Sequence, residues 1–270
     1  MKPGKFATLV IAAMSFAAMS LAFGARQAAA AQCGSSGARY EAWKQEFAQE
    51  ARANGIGERG ISALMGAHYN QPTINADRGL KSFHLSLDAF MAKRGGSIIA
   101  SRGRKLKQSN AGLFAEIEQR YGVPAGPLIA IWGMETGFGS QRGNQNMISA
   151  VSTLAYDCRR PALFTDQLYA ALKLIDRGTF SAGTVSSMHG EVGQTQFMPK
   201  TVLEYGVGNL ETSSGALMST ANYLKAHGWQ RGAGYQPGEP NFAAIEAWNS
   251  ATVYQQAIAI IGARIDGGGN

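Results

Sequence analysis

A chain of 270 residues, 45% hydrophobic and 16% charged, with a mean hydropathy of −0.13, is apolar enough to build a core, which excludes a disordered chain, a collagen and a disulfide-dense miniprotein. At this length one large domain or two small ones are allowed, with roughly 70–75% of the unfolded surface buried on folding. The net charge of +7 and the isoelectric point near 9.5 suit an anionic partner without implying nucleic acid, and the 34 glycines predict long, shaped loops on an apolar scaffold.

The N-terminus reads as a targeting segment. Lys2 and Lys5 form a basic stretch, Phe6 to Gly24 an apolar run, and Ala29-Ala30-Ala31 a small-residue cleavage site, the arrangement of a secretory signal cut after Ala31. An uncleaved membrane anchor is the alternative, and the Gly, Ser and Ala content of the run speaks against it. Residues 1–31 hold Lys2, Lys5 and Arg26 and no acid, so their removal lowers the charge from +7 to +4. Cys33 lies where a bacterial lipoprotein carries its cysteine, but the preceding Gln32 is too bulky for lipidation. The mature chain, 32–270, is therefore expected to be a monomer with no stable membrane anchor. Its only other cysteine is Cys158, and two thiols in an exported chain favour a disulfide over a free or intermolecular pair.

Helical periodicity runs through most of the mature chain. Tyr40, Trp43 and Phe47 mark one amphipathic stripe ended by Gly55, and Ile61, Leu64 and Met65 another. Leu80, Phe83, Leu87, Phe90 and Met91 follow, stopped by Gly95-Gly96, and Leu113, Phe114, Ile117 and Tyr121 form the next stripe. Pro161 and Pro199 stand where a proline opens a helix, the first continued by Leu163, Phe164, Leu168, Leu172 and Ile175. Leu217, Ala221 and Leu224 run to Gly228, and a last helix carries Ile245, Trp248, Tyr254, Ile258 and Ile261. Segments 178–198 and 228–241 are irregular, and a Gly267-Gly268-Gly269 tail follows. With no repeat, no linker and no sustained alternation, the reading is a single all-α unit with two lobes.

The segment Val123-Pro-Ala-Gly-Pro-Leu-Ile-Ala-Ile-Trp-Gly-Met-Glu135-Thr-Gly-Phe-Gly139 carries the chemistry. A helix beginning near Pro124 puts Leu128, Ile131, Trp132 and Glu135 on one stripe, so Glu135 shares the buried face near the helix C-terminus. Apolar surroundings and the negative end of the helix dipole both raise a carboxyl pKa, as a general acid at neutral pH requires. A glutamate turned to solvent or paired with an arginine is the alternative that periodicity leaves open.

These residues, together with others along the chain, resemble the lytic murein transglycosylases of the B type, glycoside hydrolase family 103, over nearly the whole mature chain. The matching pieces are Ala76-Asp77-Arg78, Tyr121-Gly-Val-Pro124, Glu135-Thr-Gly-Phe-Gly139, Ser152-Thr-Leu-Ala-Tyr156 leading to Arg159-Arg160, Gly193-Gln-Thr-Gln-Phe-Met-Pro199, Ala221-Asn-Tyr-Leu-Lys-Ala-His-Gly-Trp229, and Trp248-Asn249. The resemblance implies a lysozyme-like helical core with an additional helical lobe around a substrate cleft. It also implies peptidoglycan glycan strands as substrate, cleavage of the MurNAc–GlcNAc β-1,4 bond with formation of 1,6-anhydro-MurNAc, and a periplasmic location in a Gram-negative bacterium.

In that reaction Glu135 serves as both acid and base. The resemblance further implies that the substrate's N-acetyl group assists, oriented by the serine at Ser187. Gln196 and Asn249 match cleft residues, Trp248 stands where the family usually has tyrosine, and Tyr205 is placed with them as substrate-binding. Arg159 and Arg160 match a pair aimed at stem-peptide carboxylates, which suits guanidinium geometry. Asp157 and Glu191, the nearest other acids in sequence, have no matched role and read as surface or structural charges. Some members carry a calcium loop after the Gln-Phe-Met-Pro helix; here residues 204–215 hold only Glu204 and Glu211, so no calcium site is expected. Histidines 68, 84, 189 and 227 lack ligand spacing, and no cofactor is expected. A non-catalytic cell-wall-binding or scaffold protein, and a muramidase that hydrolyses instead of cyclising, are the competing readings.

Overall fold

The computed structural model describes residues 31–79 and 85–267. The expected signal segment before Ala31, the Leu80 and Phe83 part of the predicted stripe, His84 and the end of the glycine tail lie outside the described residues. The chain begins with α1 (Tyr40–Ala53), α2 (Glu58–Met65) and α3 (Gln71–Arg78), followed by α4 (Leu87–Arg94), α5 (Gly96–Ser109), α6 (Ala111–Tyr121) and α7 (Ala125–Thr136). Next come β1 (Gln145–Asn146), α8 (Met147–Tyr156), α9 (Pro161–Asp176), β2 (Val185–Ser186) and α10 (Pro199–Tyr205). The chain closes with α11 (Ser213–Ala226), α12 (Phe242–Trp248) and α13 (Thr252–Asp266). β1 and β2 pair antiparallel, Gln145 opposite Ser186, and form a single two-stranded sheet among the described residues. The all-α class follows.

Local chemistry sets the ends. Pro161 and Pro199 occupy the first positions of α9 and α10, where the missing N–H is no loss. Asn70, Ser86 and Asn146 accept backbone N–H groups at the starts of α3, α4 and α8. The Gly95-Gly96 pair ends α4 as predicted, but α5 begins at once, because left-handed Gly95 both closes one helix and opens the next.

Buried apolar side chains fall into two clusters. The first is built from Tyr40–Ile74 and Met147–Leu210, the second from Phe90–Met134 and Leu217–Ile265, so the chain passes between them three times. Tyr223 and Trp248 pack against both. Within the second cluster α7 is buried on all sides, with Leu128, Ile129, Ala130 and Ile131 fully inaccessible between α13 and α5. A helix apolar all round is a central one. The single stripe expected for it therefore understates its burial.

The predicted last helix is two helices. Asn249 is extended, at φ −148° and ψ 130°; its Oδ1 accepts the Ala251 N–H at 2.9 Å, and its carbonyl accepts Gln255 Nε2 at 2.7 Å. Side-chain bonds of this kind offer the backbone an alternative to the helix, and asparagine takes it.

Cys33 and Cys158 are joined, with Cα atoms 5.0 Å apart at a sequence separation of 125. The neighbouring backbone zips alongside: Gly34 N–H bonds Tyr156 O at 2.9 Å and Cys158 N–H bonds Gly34 O at 3.2 Å. The N-terminus is thus fixed to the end of α8. Closing so long a loop restrains the unfolded chain, and the bridge should contribute about 2–4 kcal/mol. Thiol titration of unfolded, unreduced protein should find no free thiol, and Cys158→Ser should lower the melting temperature; two titratable thiols would refute the pairing.

Candidate active site

Glu135 lies in the last turn of α7, which Gly137 terminates in the left-handed conformation at φ 58°. The carboxyl is not free in solvent, and it forms no ion pair with any described residue. Tyr254 donates its hydroxyl to Oε1 at 2.6 Å, and Trp248 donates Nε1–H to the same oxygen at 3.2 Å. Arg94, the nearby cation, spends a guanidinium N–H on the Met134 carbonyl at 3.3 Å. Burial drives the Glu135 pKa up from 4.5 to about 7; the two hydrogen bonds and Arg94 oppose this, and the charge of Glu191 reinforces it. Tyr254, itself buried, is pushed well above its ordinary value by desolvation and by Glu135, so it stays a donor.

The convergence of Trp248 and Tyr254 depends on the break at Asn249. In an unbroken helix residues six apart point about 120° away from each other. The extended residue re-aims α13, and both side chains reach one oxygen. Helical periodicity marks Tyr254 as a core residue only; the Asn249-Ser250 dipeptide, a turn former, is the sequence signal for its second role.

Beside Glu135 opens a cleft of about 170 Å³ lined by Glu191, Gln196, Tyr223, Trp248 and Asn249. Of the residues predicted for the site, Gln196, Trp248 and Asn249 line it. Gln196 holds φ 55°, a strained value for a non-glycine residue, and donates Nε2–H to the Gly193 carbonyl at 3.0 Å. Tyr205 stands behind the wall, its ring 5.2 Å from Tyr223, which stacks at 3.9 Å on His227.

The two glycine-rich motifs are locked together. Buried Thr136 donates its hydroxyl to the Gln194 carbonyl at 2.6 Å and accepts the Gly139 N–H at 2.8 Å, while Trp132 Nε1–H bonds Gln194 Oε1 at 3.0 Å. A Cβ on Gly139 would come within 2.5 Å of that Gln194 oxygen, and its φ of 82° also calls for glycine.

Ser187 follows β2 and does not itself line the cleft, which it meets through Glu191. Its hydroxyl donates to Glu191 Oε2 at 2.6 Å and accepts the N–H groups of His189 at 3.1 Å and Glu191 at 3.2 Å. The hydroxyl's one proton is committed to Glu191. Glu191, read from sequence as a surface or structural charge, is instead a half-buried cleft carboxylate.

Asp157 is buried and pairs with Arg78 at 2.7 Å, a structural role. Arg159 and Arg160 converge on buried Asp77 of α3. Burial alone would raise the Asp77 carboxyl, but the hydrogen bonds and charges of the two arginines outweigh it and hold it below its ordinary value. Both arginine side chains remain about two-fifths exposed, on the α3 side of the first cluster and outside the cleft lining. In the 204–215 loop Glu211 pairs with Arg142 at 2.5 Å.

A model of the Transglycosylase SLT domain family matches residues 39–238. The chain is 34% identical over 139 residues to membrane-bound lytic murein transglycosylase B of Escherichia coli (strain K12), a match spanning 46% of this chain and only 38% of that protein's length. Among solved structures, SltB3 from Pseudomonas aeruginosa in complex with NAG-anhNAM-pentapeptide superimposes with a TM-score of 0.79 at 28% identity, covering 86% of this chain and 80% of that one. Slt35 of Escherichia coli in complex with bulgecin A shares the fold, with a TM-score of 0.73 at 21% identity over 87% of this chain and 96% of its own. By the family match over 39–238 and this lysozyme-like helical fold, the chain belongs to the transglycosylase SLT domain family.

Proposed function

We propose that the protein is a peptidoglycan lytic transglycosylase that cleaves the MurNAc–GlcNAc β-1,4 bond and leaves 1,6-anhydro-MurNAc. The observation that carries this reading is Glu135, a cleft carboxyl held near pKa 7 by burial and gripped on one oxygen by Tyr254 and Trp248. A purely binding or scaffold protein has no use for so costly a group. The peptidoglycan fragment bound by the relative SltB3 supports the same substrate class here.

Protonated Glu135 donates to the glycosidic oxygen as the bond breaks, and the electron pair leaves with that oxygen. The sugar passes through an oxocarbenium-like state. Glu135, now a carboxylate, accepts the proton of the C6 hydroxyl as that oxygen closes on C1. Tyr254 and Trp248 hold Oε1 still through both transfers, leaving the second oxygen to exchange the proton. Gln196, Asn249 and the Trp248 ring bind the glycan, with Tyr205 supporting the wall through Tyr223. Arg159 and Arg160, whose side chains stay partly exposed, bind stem-peptide carboxylates at a distance from the reacting bond. Residues 32–270 act as one catalytic unit, exported to the periplasm; among the described residues no helix is long and apolar enough to cross a membrane.

Muropeptides released from purified sacculi should be one water lighter than muramidase products, as mass spectrometry reads directly; predominantly reducing-end MurNAc would favour the hydrolytic alternative. Glu135→Gln keeps the shape and cannot relay a proton, so turnover should fall about 10²–10⁴-fold. The same variant should be more stable than the parent at pH 8. A carboxyl whose pKa is higher folded than unfolded loses stability as pH rises from 4.5 to about 7, here by about 3 kcal/mol, and glutamine escapes the loss. Tyr254→Phe removes a hydrogen bond that lowers the Glu135 pKa, so the alkaline limb of kcat/KM should move upward from about pH 7. An unshifted limb would dissociate Tyr254 from the acid.

A further inference from the structure

Segment 186–197 is two tight turns in succession. Ser187 N–H bonds Glu191 O at 2.8 Å and Gly190 N–H bonds Ser187 O at 3.2 Å, closing the first; Val192 and Phe197 exchange backbone bonds at 2.8 and 3.0 Å, closing the second. Glu191 stands at their junction, between buried Gly190 and buried Val192. The first turn is anchored through β2 to β1 ahead of α8, and the second through Thr136 to the end of α7, the helix that carries Glu135. The backbone under Glu191 is therefore fixed on both sides.

Its side chain is fixed as well. Ser187 donates to Oε2 at 2.6 Å, a short hydroxyl-to-carboxyl hydrogen bond. The carboxylate lines the same cleft as Glu135, close enough for each charge to act on the other. A sugar whose glycosidic oxygen meets Glu135 lies in that cleft.

We propose that Glu191 is a second catalytic carboxylate, held in place by Ser187, which stabilises the positive charge that develops on the sugar ring as Glu135 protonates the departing oxygen. It forms no bond and moves no proton. Its charge is present throughout, while the substrate's positive charge appears only in the transition state, so the attraction lowers the barrier without tightening substrate binding. Two carboxylates flanking a glycosidic bond are the ordinary solution for oxocarbenium chemistry, and here the second adds to the C6 closure. In this arrangement Ser187 is a positioning residue acting through Glu191. The inference rests on the transglycosylase reading above.

The test compares Glu191→Gln, Glu191→Asp, Ser187→Ala and Glu135→Gln in the full mature protein, with purified sacculi as substrate. Glutamine still accepts the Ser187 hydrogen bond but carries no charge, so Glu191→Gln should lower kcat about 10²–10³-fold with KM nearly unchanged. Glu191→Asp should recover part of the loss, and Ser187→Ala should lose less than Glu191→Gln and add little to it in the double variant. The pH profile supplies an independent readout. Glu135 faces Tyr254 from α13, Trp248 from α12, Arg94 from α4 and Glu191 from this loop. Removing the one negative neighbour should move the alkaline limb to lower pH. Parental kcat and pH profile in Glu191→Gln, beside an inactive Glu135→Gln, overturn the second carboxylate and leave the transglycosylase reading intact. A melting temperature that falls in step with kcat across the three loop variants makes Glu191 a structural peg and also overturns it. An active Glu135→Gln overturns the reading on which it rests.

Discussion

An acid that works near neutral pH must be kept from ionising, and desolvation of Glu135 is the constraint around which this molecule is arranged. A carboxyl on an exposed helix end would titrate near 4.5; here burial takes it to about 7. That burial requires α7 to be surrounded, and it is, by α5, α13 and the turn carrying Gln194. The two hydrogen bonds on Oε1 work against the shift, yet they fix the carboxyl and satisfy a buried oxygen. Position and protonation are thus set by opposing forces, with desolvation the larger.

The sequence exposed the helical class and the acid because both depend on short-range pattern. Leu128, Ile131 and Trp132 announce a buried helix, and Glu135 falls on it by spacing alone. What stayed hidden depends on tertiary contact or on a single residue's backbone. The Asn249 break turns one predicted helix into two and converts Tyr254 from a core residue into a ligand of the acid. Glu191 looked like a surface charge because nothing in its neighbourhood, Met188-His-Gly-Glu-Val192, has an apolar period. Its place in the cleft comes from two backbone turns. Helices α5 and α8 escape the apolar pattern for a different reason: a glycine pair opens the first and a short run of small and hydroxyl-bearing residues fills much of the second.

Arg159 and Arg160 illustrate how one pattern can serve two ends. Paired on Asp77, they join α3 to the start of α9 next to the Cys33–Cys158 bridge, while Arg78 repeats the arrangement with Asp157. The corner is cross-linked by a covalent bond and three ion pairs. Buried acids in such a corner require cations, so the arginines have a structural reason to be present whatever they contact from outside.

The chain's three passages between the two apolar clusters bear on motion. Neither cluster is a continuous stretch of sequence, so neither can be cut away or finish folding while the other is missing, and the two should melt as one cooperative unit. One of the three passages, residues 135–146, starts at the acid itself. Any rocking of one cluster against the other must pull on that connection, where Thr136 is tied to Gln194 and Gly139 leaves no room for slack. A glycan strand that spreads the cleft would thereby strain the tether of the proton donor, so the grip on the polymer and the geometry of the acid are mechanically one variable.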